Sequence, residues 1–179
     1  SVLPAVHAIS WMIDACLQKY TGFRFSSCKD FKVMNGVKFD NTLADQYRIN
    51  LEETERKDGN VAELNVQISS NHGKTQRLHY SSKIRVIHET IKAPTNDHFD
   101  LRNTHNLLGS TYYNDGTLFH GPKFQGIQQL LNISEQSLTL ECMLPEISVI
   151  EQGSFATNNF NPFAIDLAFQ AMLIWVWRF

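Results

Sequence analysis

The segment Asn161-Pro162-Phe163-Ala164-Ile165-Asp166-Leu167-Ala168-Phe169-Gln170, continued by Ala171 to Arg178, constrains this chain more than any other. Asn161 is a good helix N-cap, and Pro162 suits the first helical position, where a missing N–H is harmless. The helix behind it is apolar most of the way round. Ile165, Phe169, Met172 and Val176 share one face, and Trp175 and Trp177 broaden it. Such a helix is expected to be buried, wrapped by a curved sheet. Into it the sequence places one carboxylate, Asp166, and one carboxamide, Gln170, whose spacing of four puts both on one side. A lone acid is costly to bury, so Asp166 is a functional candidate. The plainer alternative is a first-turn aspartate favoured by the helix dipole.

The second distinctive stretch is Leu118-Phe119-His120-Gly121-Pro122-Lys123-Phe124-Gln125-Gly126-Ile127, a Gly-Pro turn feeding a strand. Gly121 to Gly126 has the length of a phosphate loop but continues Ile-Gln where Lys-Ser/Thr is required, so that match is empty. Upstream, Val6, Ile9, Ile13, Cys16 and Tyr20 recur at helical spacing after Pro4. Phe31-Lys32-Val33 and Val37-Lys38-Phe39 flank Asn35-Gly36 and read as a hairpin. Tyr47 to Glu55, Val61 to Ser69 and Gln76 to Ile87 read as strands of a meander, with Leu78, Tyr80, Ser82, Ile84 and Val86 on one face. His88 to Asn106 is polar and aperiodic, a linker. Gln128 to Ile133 and Ser137 to Leu144 are further strands, ahead of the final helix.

A length of 179 residues with 42% apolar content fits one domain with a packed core. Sixteen basic against eighteen acidic residues, without a basic stripe, exclude a nucleic-acid footprint. Cys16, Cys28 and Cys142 form neither a zinc spacing nor a disulfide framework, which favours reduced thiols. His72, His79, His88, His98 and His105 share no ligand spacing, so no metal site is expected. The apolar run near Ala171 to Trp177 is too short to span a bilayer. Trp175, Trp177 and Phe179 at the end of an apolar helix imply that these residues are part of a larger folded unit.

The two quoted segments resemble the second half of the dehydratase domains of polyketide and polyunsaturated fatty acid synthases. There an F-H/Y-G-P-x-F-Q segment precedes an H/N-P-x-x-[LI]-D-x-x-x-Q helix. The wording here is most similar to the bacterial polyunsaturated fatty acid synthases, and Val2 to Met12 is similar to the entry into the family's first helix. The resemblance implies an α+β double hotdog fold, a long helix packed in an antiparallel sheet, twice. It assigns residues 1–87 to the first unit, 88–106 to the linker, and 107–179 to a second unit that stops at its central helix.

The resemblance also implies a chemistry, removal of water from a 3-hydroxyacyl chain on the phosphopantetheine arm of an acyl carrier protein. A histidine takes the C2 proton and an aspartate protonates the leaving hydroxyl. Asp166 matches that acid and Gln170 its helper. Gly121 and Pro122, with Phe124, match the turn that shapes the acyl tunnel, and His120 stands where many relatives have tyrosine. The family's histidine precedes the proline matching Pro4 in an H-x-x-x-G-x-x-x-x-P pattern, a position before Ser1; His7 follows that proline. No directly bound cofactor or metal is implied. The implied partners are an acyl carrier domain, other domains of a megasynthase and, among the arrangements allowed, a second copy in a homodimer. Neither nucleic acid nor membrane is implied, and the location is cytoplasmic. A non-catalytic scaffold or acyl-holding module of the same synthase is the alternative. A stand-alone hotdog thioesterase or hydratase is disfavoured by the long linker and second helix.

Overall fold

A computed structural model describes residues 2–72, 75–89, 92, 95, 100–102, 104–152 and 159–179. The chain divides into two compact units, Ser1–Lys92 with Val149–Pro162, and Ala93–Ser148 with Phe163–Phe179. Much of the expected linker, residues 90, 91, 93, 94, 96–99 and 103, lies outside the described residues.

The first unit is one helix on one sheet. Helix α1 (Ala5–Lys19) starts behind Pro4, whose extended backbone makes it the N-cap residue, one position earlier than the first helical position expected. The stripe Val6, Ile9, Ile13, Cys16 and Tyr20 is buried. Strands β1 (Arg24–Val33), β2 (Tyr47–Lys57), β3 (Val61–His72) and β4 (Thr75–Ile87) form a sheet in the order β1-β4-β3-β2. Every neighbouring pair is antiparallel. Period-two burial on β4 turns Tyr80, Ser82, Ile84 and Val86 inward, and the helix stripe meets them together with Leu64, Val66 and Ile68 of β3.

The hairpin expected about Asn35-Gly36 does not form. Strand β1 pairs with β4, Lys32 opposite Ser81 and Val33 opposite Tyr80. The turn is instead tied to the start of β4: the N–H groups of Met34 and Asn35 both donate to the carbonyl of His79, and the Asn35 carboxamide donates to that of Leu78. Val37 is therefore buried as a loop residue; its carbonyl accepts from Leu3 N–H at 2.8 Å, and Lys38 makes an isolated bridge to Val2. The turn signal is real, but a distant strand outcompetes the adjacent one for hydrogen bonds.

In the second unit, β5 (Leu107–Leu108) leads into a short helix α2 (Gly109–Asn114), neither of which the sequence pattern announces. After a 3₁₀ turn at Pro122–Phe124 come β6 (Ile127–Ile133) and β7 (Leu138–Cys142), in the antiparallel order β5-β6-β7. The sequence assigns all of 107–179 to this unit. In the structure a short helix α3 (Val149–Gln152) and the residues up to Pro162 group with the first unit, where Phe160 packs edge-on against Phe25. Helix α4 (Pro162–Arg178) closes the chain.

Helix α4 buries a different face from the one expected. Phe163, Asp166, Leu167, Gln170 and Ile174 are inside, whereas Phe169, Met172 and Val176 are 50%, 61% and 64% exposed. A helix apolar all round offers no preferred face by hydropathy alone. The choice falls to its partners. Leu118, Ile127, Leu130 and Ile133 form one cluster with Leu167 and Ile174, and Gln170 finds hydrogen bonds on the same side.

Tyr80 ties the entry of the chain to the sheet, its hydroxyl accepting from Val37 N–H at 3.1 Å and donating to the Leu3 carbonyl at 3.3 Å. Tyr80→Phe leaves that buried N–H without an acceptor and should lower stability by about 1–3 kcal/mol in urea denaturation, with the fold unchanged.

Candidate active site

The site is assembled within the second unit by two close approaches. A Cβ on Gly109 would lie 2.0 Å from the carbonyl oxygen of Ile127. One on Gly126 would lie 2.6 Å from that of Met143 and 3.0 Å from Leu167. With hydrogen in place of a methyl at both, α2 and α4 press against the start of β6. Between them runs the Gly-Pro turn. Phe124 N–H closes onto the Gly121 carbonyl at 2.8 Å, and the Gln125 side chain donates to the His120 carbonyl at 2.9 Å. The turn directs the His120 ring and the Phe124 carbonyl at α4.

Asp166 lies past the first turn of α4, so it is not a capping aspartate. The residue is 9% exposed. Gln170, with no exposure at all, donates from Nε2 to Asp166 Oδ2 at 2.7 Å and to the Phe124 carbonyl at 2.8 Å. Its Oε1 accepts from the Tyr113 hydroxyl at 2.8 Å, and the Tyr113 oxygen accepts the N–H of Ile127 at 3.1 Å. His120 Nε2 stands 3.5 Å from Asp166 Oδ2, a long polar contact, while His120 Nδ1 is buried with no hydrogen-bond partner among the described residues. The rings of Phe124 and Phe163 are tilted together with centroids 4.9 Å apart. Burial pushes the Tyr113 hydroxyl pKa upward, opposed by the Ile127 N–H.

Of the residues singled out in the sequence, Asp166, Gln170, His120 and Phe124 come together. Gly121 and Pro122 shape the turn from exposed positions. Tyr113 is the member that the sequence pattern does not reveal. It sits in a six-residue helix, too short for a periodicity, amid Gly, Ser, Thr and Asn that read as loop. The Tyr112-Tyr113 doublet ahead of Gly116 is the one signal that marks it. Among the described residues, no group of three or more His, Cys, Asp or Glu side chains could hold a metal ion. No described helix is long and apolar enough to cross a membrane.

A lone helix in an antiparallel sheet, twice along the chain, is the double hotdog architecture of polyketide synthase dehydratase domains, its second unit incomplete within these residues. The solved dehydratase domain of RzxB from Pseudomonas fluorescens matches with a TM-score of 0.68 over 98% of this chain and 62% of that one, at 12% identity. The dehydratase domain from the CurK module of the curacin polyketide synthase matches with a TM-score of 0.62 over 94% of this chain and 59% of that one, at 21% identity. At such identities the fold is what is shared. In sequence the chain is similar to a polyunsaturated fatty acid synthase polypeptide of Thraustochytrium sp., 29% identical over 99% of this chain. It spans 6% of that protein and about six tenths of the solved domains. No family model matches. These relatives bear out the resemblance carried by the two motifs.

A second buried carboxyl lies in the first unit. Asp14 on α1 is 5% exposed; Oδ1 takes one long contact of 3.5 Å from Asn159 Nδ2, and Oδ2 has no hydrogen-bond partner among the described residues. Burial raises its pKa, the Asn159 contact opposing weakly. With the folded pKa above the unfolded one, its contribution is fully present below the unfolded pKa and is lost as pH rises through the folded value. Asp14→Asn should therefore raise the melting temperature at pH 7, and the gain should shrink as pH falls through the raised folded pKa towards the ordinary aspartate range and be gone below it. A gain that is constant with pH would show that the carboxyl is not the cause.

Proposed function

We propose that this chain forms part of a dehydratase domain of a multidomain fatty acid or polyketide synthase, removing water from a 3-hydroxyacyl thioester to leave a 2-enoyl thioester. The observation that carries the reading is the state of Asp166. Gln170 engages Oδ2, and Oδ1 takes no hydrogen bond from any described residue. A carboxyl held at one oxygen and open at the other is suited to give a proton to a leaving hydroxyl.

The electron count is simple. A base removes a proton from C2, the C–H pair becomes the C2–C3 double bond, and the C3–O bond breaks. The hydroxyl takes a proton from Asp166 Oδ1 and departs as water. Asp166 is left as carboxylate and the base protonated, and return of that proton resets the pair. By the resemblance, the base is the histidine of the H-x-x-x-G-x-x-x-x-P pattern, ahead of Pro4. His120, whose Nε2 stands 3.5 Å from Asp166 Oδ2, places a polar atom beside the acid. Phe124 and Phe163 form an apolar wall at the acid, which strengthens charge interactions there.

The acyl chain is carried on the phosphopantetheine arm of a carrier domain, so the protein itself binds no cofactor. Its partners are that carrier domain and the neighbouring domains of a cytoplasmic synthase.

Asp166→Asn keeps shape and the acceptor facing Gln170 but removes the acid. In the intact protein it should slow conversion of a 3-hydroxyacyl carrier-protein substrate by at least about a hundredfold, followed by mass spectrometry, without lowering the melting temperature. Turnover within a few-fold of the parent would remove Asp166 from the chemistry and leave the scaffold role.

A further inference from the structure

Resting on the assignment of Asp166 as the acid, we propose that Tyr113 is a positioning residue for the dehydration. Acting through Gln170, it dictates that the transferable proton sits on Asp166 Oδ1 and not on Oδ2.

Tyr113 and Gln170 stand in a chain of hydrogen bonds whose two ends have only one possible polarity. The Ile127 N–H can only donate, and the Phe124 carbonyl can only accept. Because the Tyr113 oxygen accepts from Ile127 at 3.1 Å, its single hydrogen is available to Gln170 Oε1, 2.8 Å away. The amide is thereby fixed with Oε1 towards Tyr113 and Nε2 towards α4 and the turn. One Nε2 hydrogen goes to the Phe124 carbonyl at 2.8 Å and the other to Asp166 Oδ2 at 2.7 Å.

Taken alone, a glutamine amide could be turned end for end and a tyrosine hydroxyl could rotate. Here a reversed amide would set Oε1 against the Phe124 oxygen, acceptor facing acceptor. The polarity of the relay is therefore settled as far as Asp166 Oδ2, which must accept. When the carboxyl takes up a proton, Oδ2 is blocked by an N–H only 2.7 Å away, so the acidic form carries it on Oδ1.

The Phe124 carbonyl sets which end of the amide faces the turn, and Tyr113 is the group that donates to Oε1 and holds it there. His120 Nε2 at 3.5 Å from Oδ2 is too distant to define a proton position. Gln170 is fully buried and cannot be oriented by solvent. Tyr113 itself touches no reacting atom, being two hydrogen bonds from the carboxyl. Its hydroxyl, like any tyrosine's, is an O–H at neutral pH, and burial pushes its pKa further up.

The test is a cycle in the intact protein with a 3-hydroxyacyl carrier-protein substrate. Tyr113→Phe leaves the buried Gln170 Oε1 without its donor, so the amide is no longer held against Asp166; kcat should fall by about 10- to 100-fold while KM stays within about twofold, since only the acid step is disturbed. Gln170→Leu should show a comparable loss. The double variant should be no slower than Gln170→Leu alone, because Tyr113 has no effect left once its intermediary is gone. Losses that multiply, or a Tyr113→Phe kcat within about twofold of the parent, would overturn the proposal. If Tyr113→Phe melts before it can be assayed, 3-fluorotyrosine in place of Tyr113 retains both hydrogen bonds with a stronger donor. It should change kcat at constant KM, and an unchanged kcat overturns the proposal equally. Asp166→Asn separates the two claims. If that variant is active, the dehydratase reading falls. If it is inactive and the cycle is additive, only the role of Tyr113 falls.

Discussion

A primary carboxamide with no solvent exposure must find partners for one acceptor and two donors, or lose roughly 1–3 kcal/mol for each group left unmet. Gln170 is in that position, and the second unit is arranged to meet its demands. The oxygen needs a donor from α2, so Tyr113 faces inward. One N–H needs a carbonyl, which Phe124 in the 3₁₀ turn at Pro122–Phe124 supplies. The other meets Asp166. The approach of α2 and α4 to β6 that brings these groups within reach is what Gly109 and Gly126 permit. The carboxyl is thus positioned by a polar network, whereas the helix that bears it is held by Leu167 and Ile174 in an apolar cluster.

The two units solve the same problem with different resources. The first covers α1 with four strands of 10 to 13 residues. The second offers α4 strands of two, seven and five residues, and among the described residues one side of the helix stays in water. Even there, Trp175 is fastened by its indole N–H to the Ser134 carbonyl at 2.9 Å.

What could be read in the sequence divides along the range of the forces involved. Alternation along Leu78 to Val86 and the helical spacing of Val6 to Tyr20 are local, and both elements form where the pattern puts them. The partner of β1 is set by a strand about fifty residues away, which no local turn signal can reveal. The buried face of α4 is undetermined by hydropathy because apolar residues surround the helix. The two polar residues on it, Asp166 and Gln170, are the better guide, since a polar group must go where its partners are. His79 makes the same point in reverse. A polar residue in a strand, it is buried between the Ser70 hydroxyl and the Asn35 carbonyl with both ring nitrogens engaged. Tyr113 is invisible to pattern because its role depends on a short helix that only tertiary packing creates.

The three glycines around the site also differ in what they would tolerate. Gly121, in the middle of the most recognisable motif, has ordinary backbone angles and nothing within 4 Å of a would-be methyl. Gly126 closes the same motif, and Gly109 lies outside it altogether, yet both abut a main-chain oxygen that cannot step aside. In a saturation library the motif's central letter should therefore prove permissive, while an inconspicuous glycine before Ser110 should prove nearly invariant. Prominence in a signature and intolerance of change are separate properties, and here they fall on different residues.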